Sequence, residues 1–89
     1  MIQRTCYFSG DVQGVGFRYT AQSVARGFAV TGFVRNLADG RVELVAEGKA
    51  EEIERFLDAL GQQMEGHIRD RTDSDTSATG RFPDFTIRR

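Results

Sequence analysis

The spacing of apolar residues in the first half of the chain changes from the period of a strand to that of a helix and back. Residues 4–9 alternate loosely between apolar and polar positions and predict a strand that Gly10 ends. Apolar residues then recur at intervals of three and four and predict a helix that ends near Gly27: Phe17, Ala21, Val24, Ala25 and Phe28. Residues 30–36, rich in Val, Thr and Phe, predict a second strand.

The second half of the chain continues with a strand, a helix and a strand. Residues 37–40 predict a turn with an Asp-Gly pair, and residues 41–47 alternate as a third strand. Apolar residues at helical spacing predict a second helix: Ile53, Phe56, Leu57, Leu60 and Met64. Residues 67–75 contain few apolar side chains and predict at best a short, exposed edge strand. Residues 82–87 predict the last strand, with Pro83 near its beginning.

This order of elements predicts an α+β fold. Two helices on one face of a largely antiparallel sheet form a ferredoxin-like βαββαβ sandwich. Whether a short extra edge strand forms around residue 70 is left open by the sequence. The chain has 89 residues, of which 39% are hydrophobic and 28% charged, and it contains no repeat or linker. We therefore expect a single globular domain over residues 1–89.

The composition excludes several classes of function. Twelve Lys and Arg against thirteen Asp and Glu give a net charge of −1, which argues against a nucleic-acid partner. No apolar run approaches the roughly 20 residues that cross a bilayer, and no secretory signal is visible, so we expect a cytoplasmic protein without a membrane partner. Cys6 and His67 are the only residues of their types, so an intramolecular disulfide and a cysteine–histidine zinc site are excluded.

The segment most suited to chemistry joins the first strand to the first helix, from Gly10 to Arg18. Gly14 and Gly16 allow the backbone to turn so that successive N–H groups point inward. The start of the helix adds unpaired N–H donors and the positive end of its dipole. Arg18 adds a planar fork of donors that matches phosphate oxygens. The loop predicts a phosphate-binding cradle, although glycine-rich loops of this kind also occur for purely geometric reasons.

Asn36 extends this prediction across the sheet. A strand-helix-strand connection makes the second strand parallel to the first, so the carboxyl ends of both strands lie at one edge of the sheet. Arg18 and Asn36, eighteen positions apart, can then face the same crevice. The alternative is that Asn36 only opens the turn before Asp39 and Gly40, where asparagine is common.

Other phosphate sites do not fit the spacing. A cysteine phosphatase loop would need arginine six positions after Cys6, where Val12 stands. A nucleotide P-loop needs Gly-Lys-Ser/Thr, but Phe17 and Arg18 follow Gly16. A dinucleotide fingerprint needs glycine at position 19, which is Tyr19.

An RNA-binding module is an alternative from another class of function. Residues 26–33 partly imitate an RNA-binding strand motif, but they span the end of the predicted first helix and the predicted second strand.

Two motifs resemble those of the acylphosphatase family. The first, glycine-x-valine-glutamine-glycine-valine-x-phenylalanine-arginine, is met by Gly10, Val12, Gln13, Gly14, Val15, Phe17 and Arg18. The second, around the second strand and the following turn, is met by Gly32, Phe33, Asn36, Gly40 and Val42. Two motifs at the right separation make the resemblance specific, and it covers roughly residues 4–60.

The resemblance implies a ferredoxin-like fold and hydrolysis of small acyl phosphates, with no metal and no cofactor, by a monomer for which inorganic phosphate is product and inhibitor. It implies that Arg18 binds the substrate phosphate and that Asn36 orients the attacking water. An alternative keeps the same fold and cradle without turnover, as a domain that binds carbamoyl or acyl phosphate for a partner. The phosphate-binding loop would consist of Gln13, Gly14, Val15, Gly16, Phe17 and Arg18. Asp11 departs from the family pattern, and unless its side chain points away it should weaken the attraction for phosphate.

Overall fold

A five-stranded sheet with two helices packed on one face forms the architecture of the chain. The structure is a computed structural model that describes residues 1–89. The elements in chain order are β1 (Ile2–Gly10), α1 (Phe17–Ala25), β2 (Thr31–Asn36), β3 (Val42–Gly48), α2 (Ala50–Gln63), β4 (Ile68–Ser77) and β5 (Phe85–Arg88).

The sheet has the strand order β4-β1-β3-β2-β5. β1 pairs antiparallel with β3 and β4, and β2 pairs antiparallel with β3 and parallel with β5. The first four strands and the two helices make the ferredoxin-like arrangement, so the predicted fold class is confirmed. The sheet is mixed because β5 adds a parallel strand to the free edge of β2.

The predicted exposed edge strand near residue 70 is present, but the prediction was wrong in its length and in its role as an extra strand. β4 has ten residues and is the fourth strand of the ferredoxin-like sheet, whereas the extra strand is β5 at the carboxyl end. Nine of the ten residues of β4 are exposed, so burial leaves no hydrophobic pattern to find. β4 is held by backbone pairing along β1, with a register from Ile2↔Ser77 to Ser9↔Asp70.

The hydrophobic core lies between the helices and one face of the sheet. On β3 the residues facing the helices are Val42, Leu44 and Ala46, all fully buried. They pack with apolar residues of both helices, among them Phe17, Ala21, Ile53, Phe56 and Leu60. This face gives the alternating pattern from which the third strand was predicted.

The pairing register brings the carboxyl ends of β1 and β2 to the same edge. Phe8 of β1 and Asn36 of β2 both lie opposite Val42 of β3, one on each side. Two strand spacings of about 4.8 Å therefore separate Phe8 and Asn36 across the sheet, roughly 10 Å. The loop that follows β1 consequently starts beside the end of β2.

Candidate functional site

A cavity of about 190 Å³ opens at this edge of the sheet, between the loop after β1, the start of α1 and the end of β2. It brings Arg18 and Asn36 to one place, together with Gly14, Gly16 and Phe17 of the loop. The residues that line it are Val12, Gly14, Gly16, Phe17, Arg18, Tyr19 and Asn36.

The loop backbone has the conformation of an anion-binding turn. Gly14 and Gly16 have φ angles of 76° and 77°, and Val15 between them has a negative φ. Alternation of positive and negative φ along a loop directs successive N–H groups toward one side. A side chain at either glycine would be strained by its positive φ, although a Cβ would meet no neighbour within 4 Å.

The N–H groups of this loop have no partner within the protein. Gly16 is the N-cap residue of α1 and supplies no side-chain cap. The backbone N–H groups of residues 12–19 donate to no backbone or side-chain acceptor, and the first N–H of the helix ladder is that of Thr20, which donates to Gly16 O at 2.9 Å. A row of free donors at the positive end of a helix favours an anion.

Arg18 adds a full positive charge beside these donors. Its guanidinium is half-buried and has no carboxylate within 4.0 Å. Its one polar contact is a long one, from Nη1 to the main-chain oxygen of Arg88 at 3.5 Å. This contact reaches the end of β5, so the added strand helps to hold the side chain while its charge stays uncompensated.

The carboxamide of Asn36 is half-buried at the end of β2 and makes no hydrogen bond within the protein. The turn after it is held by other groups. Leu37 N donates to Arg41 O at 2.8 Å, and the carboxylate of Asp39 accepts from Arg41 N at 3.1 Å. Asn36 therefore does not serve as the hydrogen-bonding residue of the turn, and both ends of its amide are free on the cavity side.

Gln13 and Val15 are the two predicted loop residues whose side chains do not line the cavity. Gln13 Nε2 donates to Leu37 O at 2.7 Å and to Arg41 O at 3.0 Å, across the loop and onto the β2–β3 turn. Val15 packs against the hydrophobic core. The motif alone does not distinguish a side chain that contacts a ligand from one that holds the loop in place.

Asp11 points away from the cavity. Its carboxylate lies 3.5 Å from His67 Nδ1, and its N–H donates to the carbonyl of His67 at 2.8 Å. The side chain is 75% exposed. The negative charge of Asp11 therefore does not face the loop donors, and the weaker attraction for phosphate that an inward side chain would cause is not expected.

Val12 and Tyr19 line the cavity but were not predicted as site residues. Val12 is buried and belongs to the first motif, whereas Tyr19 belongs to neither motif. Tyr19 was considered only as the residue where a dinucleotide motif would need glycine. The signal was its position directly after Arg18, on the first turn of a helix whose apolar stripe does not include it.

Other candidate groups lie outside this cavity. Cys6 is completely buried, and burial raises the pKa of its thiol well above the ordinary value, so it is unsuited to act as a nucleophile. No three His, Cys, Asp or Glu side chains come together in a way that could hold a metal ion. Neither helix has the length and apolar character that crossing a membrane requires.

A family model, related sequences and a solved structure all match this chain to the same family. The family model for acylphosphatase matches residues 4–87. An acylphosphatase of Methanospirillum hungatei is 49% identical over 63 residues, which cover 71% of this chain and 69% of that protein. An acylphosphatase of Acaryochloris marina is 38% identical over 81 residues, 91% of this chain and 87% of that protein. The crystal structure of acylphosphatase from Bacillus subtilis superposes over 100% of both chains with a TM-score of 0.91 and 32% identity.

Proposed function

Because the chain belongs to the acylphosphatase family and is a hydrolase of that type, we propose that the Arg18–Asn36 cavity is where it breaks the carboxyl–phosphate bond of small acyl phosphates. One observation carries this assignment. Unpaired N–H donors, an uncompensated guanidinium and a free carboxamide line the same small cavity. These are the groups needed to hold a phosphate dianion and to position a water molecule.

Arg18 and the N–H groups of the loop bind the phosphate in this proposal. An acyl phosphate is a mixed anhydride with a good leaving group, so the site has to hold the phosphate and stabilise the charge that develops on its oxygens. The guanidinium gives two parallel donors, and the backbone N–H groups of residues 15–18 give donors that need no rearrangement.

Asn36 orients the attacking water. Its amide is too weak a base to take a proton. Its oxygen can accept a hydrogen bond and its NH₂ can donate one, and together they hold a water molecule in a fixed orientation. The water oxygen forms a bond to phosphorus, the bond from phosphorus to the carboxyl oxygen breaks, and the carboxylate leaves with the electron pair. The position of Asn36 across the cavity from the loop of Arg18 suits this in-line approach.

The proton of the water passes to an oxygen of the substrate's own phosphate. The lining residues include no histidine, thiol or carboxylate, the side chains that commonly act as general bases near neutral pH. We expect His67→Gln to leave kcat within about twofold of the parent value at every pH. A sharp loss of activity through a side-chain pKa near neutrality would require a protein base instead.

The test is a continuous assay with benzoyl phosphate in the presence of EDTA. Arg18→Gln should lower kcat/KM by about 10³-fold and weaken inhibition by inorganic phosphate, because it removes a donor that binds the phosphate in both the ground state and the transition state. Asn36→Ala should lower kcat by about 10²-fold with little change in KM, because the oriented water contributes to the transition state alone. Arg26→Gln is the matched control, since Arg26 is exposed after α1 and does not line the cavity.

Three results would contradict the proposal. Equal and mild losses in kcat and KM for both variants would remove the distinct roles of Arg18 and Asn36. Loss of turnover on addition of EDTA would mean that the loop is not the whole catalytic apparatus. Binding of benzoyl phosphate without release of inorganic phosphate would leave a domain that binds acyl phosphate for another protein.

A further inference from the structure

Tyr19 is the one aromatic residue of the protein without a partner. All seven phenylalanines pack against another aromatic ring, as in the pairs Phe8–Phe17 and Phe56–Phe85, and the ring of Tyr7 lies under the Arg41 guanidinium. The side chain of Tyr19 is 65% exposed, and its hydroxyl makes no hydrogen bond. An exposed aromatic ring without an aromatic or hydrogen-bonding partner that also lines a cavity is a candidate contact for a ligand.

The position of Tyr19 identifies which part of a ligand it meets. It follows Arg18 on the first turn of α1 and lines the cavity together with Arg18 and Asn36. The cavity, at about 190 Å³, is smaller than the roughly 300–1,000 Å³ that encloses a drug-sized ligand. In the proposed function the phosphate lies against the loop donors and Arg18, so the acyl group extends from it toward the other lining residues, of which Tyr19 is the exposed aromatic one.

We propose that Tyr19 is a specificity-determining residue that contacts the acyl group and favours flat, aromatic acyl phosphates over acetyl phosphate. This inference rests on the proposed function of the same cavity. An aromatic acyl group is planar and conjugated with its carbonyl, so it can stack on the phenol ring in an offset or edge-on arrangement. An acetyl group offers only a methyl group to the same surface.

The stacking contact forms when the substrate binds and persists while the bond to phosphorus breaks. Its free energy is therefore nearly the same in the ground state and in the transition state, and its loss appears in KM rather than in kcat. Arg18 differs because it meets the phosphate, where charge changes during the reaction. The two neighbouring residues thus act on opposite ends of the substrate.

The experiment measures kcat and KM for benzoyl phosphate and acetyl phosphate with the parent chain, Tyr19→Ala and Tyr19→Phe. We expect the ratio of kcat/KM for benzoyl over acetyl phosphate to fall about fivefold in Tyr19→Ala, through KM, because stacking contributes roughly two- to tenfold. Tyr19→Phe keeps the ring and should keep the ratio within about twofold of the parent value. Ser23→Ala is the control, since Ser23 is exposed one turn further along α1 and does not line the cavity.

Each contrary result is distinct. An equal loss for both substrates in Tyr19→Ala, or a weakening of phosphate inhibition by the same factor, would mean that the ring supports the loop and does not select the acyl group. An unchanged ratio would mean that the ring does not contact the acyl group. If the parent chain turned over neither substrate, the proposed function itself would fail. Thermal unfolding of Tyr19→Ala verifies that the variant is folded.

Discussion

Two short stretches of backbone in this protein offer N–H groups beside a glycine with positive φ, and they differ in what those groups meet. At Thr79 and Gly80, both N–H groups donate to the carboxylate of Glu47 at 2.9 Å, and Gly80 has a φ of 71°. In the loop after β1, where Gly14 and Gly16 have φ near 77°, the N–H groups meet no acceptor of the chain. The chain supplies its own anion at one place and leaves the other free.

The Glu47 carboxylate illustrates what such donors do for a buried anion. It is 5% exposed and has no cationic side chain within 4.0 Å, yet it accepts two further hydrogen bonds, from Gln3 Nε2 at 2.7 Å and Thr79 Oγ1 at 2.8 Å. Burial alone would raise its pKa, but the four hydrogen bonds outweigh burial and lower the pKa of Glu47 to about 2. Hydrogen bonds from neutral groups are thus enough to keep a carboxylate ionised here.

The two stretches lie at opposite ends of the sheet. Glu47 lies opposite Gln3 and Thr31, where β1 and β2 begin, whereas Asn36 lies at the end of β2, opposite Val42. Donors satisfied by Glu47 fix the connection between β4 and β5 to the sheet and so contribute to stability. Donors left free at the other end are available to a phosphate. The two ends of the sheet thus separate a part of the molecule that stabilises the fold from the part that we propose binds substrate.

The largest expected effect comes from disrupting the four hydrogen bonds to the carboxylate of Glu47. Glu47→Gln removes the charge and places an NH₂ group among four donors, so at least one of them loses its acceptor. We expect the free energy of unfolding to fall by about 2 kcal/mol at pH 7, measured in urea, because hydrogen bonds to a buried charged group contribute roughly 1.5–3 kcal/mol. The value of kcat for benzoyl phosphate should stay within about twofold of the parent, since the cavity is at the other end of the sheet.

The same variant has a defined dependence on pH. The folded-state pKa of Glu47 is lowered from 4.5 to about 2, so its contribution to stability is present above pH 4.5 and is lost as pH falls toward 2. We therefore expect the stability difference between parent and Glu47→Gln to shrink in this interval. The control is Glu65→Gln, because Glu65 is exposed and its carboxylate has no hydrogen-bond partner. A constant difference from pH 7 to pH 2.5 would contradict the role of the ionised carboxylate.

The next effect in size concerns the side chain that positions the free donors. Gln13→Ala removes the two hydrogen bonds that join the loop to the carbonyls of Leu37 and Arg41. We expect a loss of about 1 kcal/mol in stability and a decrease of about tenfold in kcat for benzoyl phosphate, because the loop and Asn36 would no longer be held at a fixed separation.

Two measurements separate this role of Gln13 from direct contact with phosphate. Inhibition by inorganic phosphate should change little in Gln13→Ala, because the side chain does not line the cavity. A loss of phosphate inhibition as large as that in Arg18→Gln would instead indicate that Gln13 binds the ligand. Gln63→Ala, a change at an exposed residue after which α2 ends, is the matched control.

The sequence predicted those parts of the molecule whose cause is local or periodic. The helices and the inner strands follow from apolar spacing, and the meeting of Arg18 and Asn36 follows from the direction of β1 and β2. The length of β4 could not be predicted, because a strand that is exposed along one edge gains its stability from backbone pairing and not from buried side chains.

Polar contacts between residues far apart in the chain could not be predicted from the sequence either. Glu47 alternates with buried Ala46 and would be expected on a solvated face, but residues 32 positions further along the chain cover it. The side chain of Gln13 belongs to a motif that indicates a phosphate loop, and only the fold reveals that it turns toward Leu37 and Arg41. Both partners of Gln13 and two of the four partners of Glu47 are backbone groups, which carry no signature in the sequence.

The smallest expected effect tests why the free donors do not bind a carboxylate of their own chain. Asp11 is the one acidic residue of the loop from Gly10 to Arg18, and turned inward it would occupy the donors as Glu47 does at the other site. Its N–H bond to His67 O and the approach of its carboxylate to His67 Nδ1 direct it outward. At 0.15 M salt we expect Asp11→Asn to change the inhibition constant of phosphate by less than about twofold, because exposed charges are strongly screened. Asp58→Asn, the same change of charge on an exposed face of α2, is the reference. A decrease of several-fold in the inhibition constant for Asp11→Asn alone would mean that its carboxylate competes with phosphate for the loop.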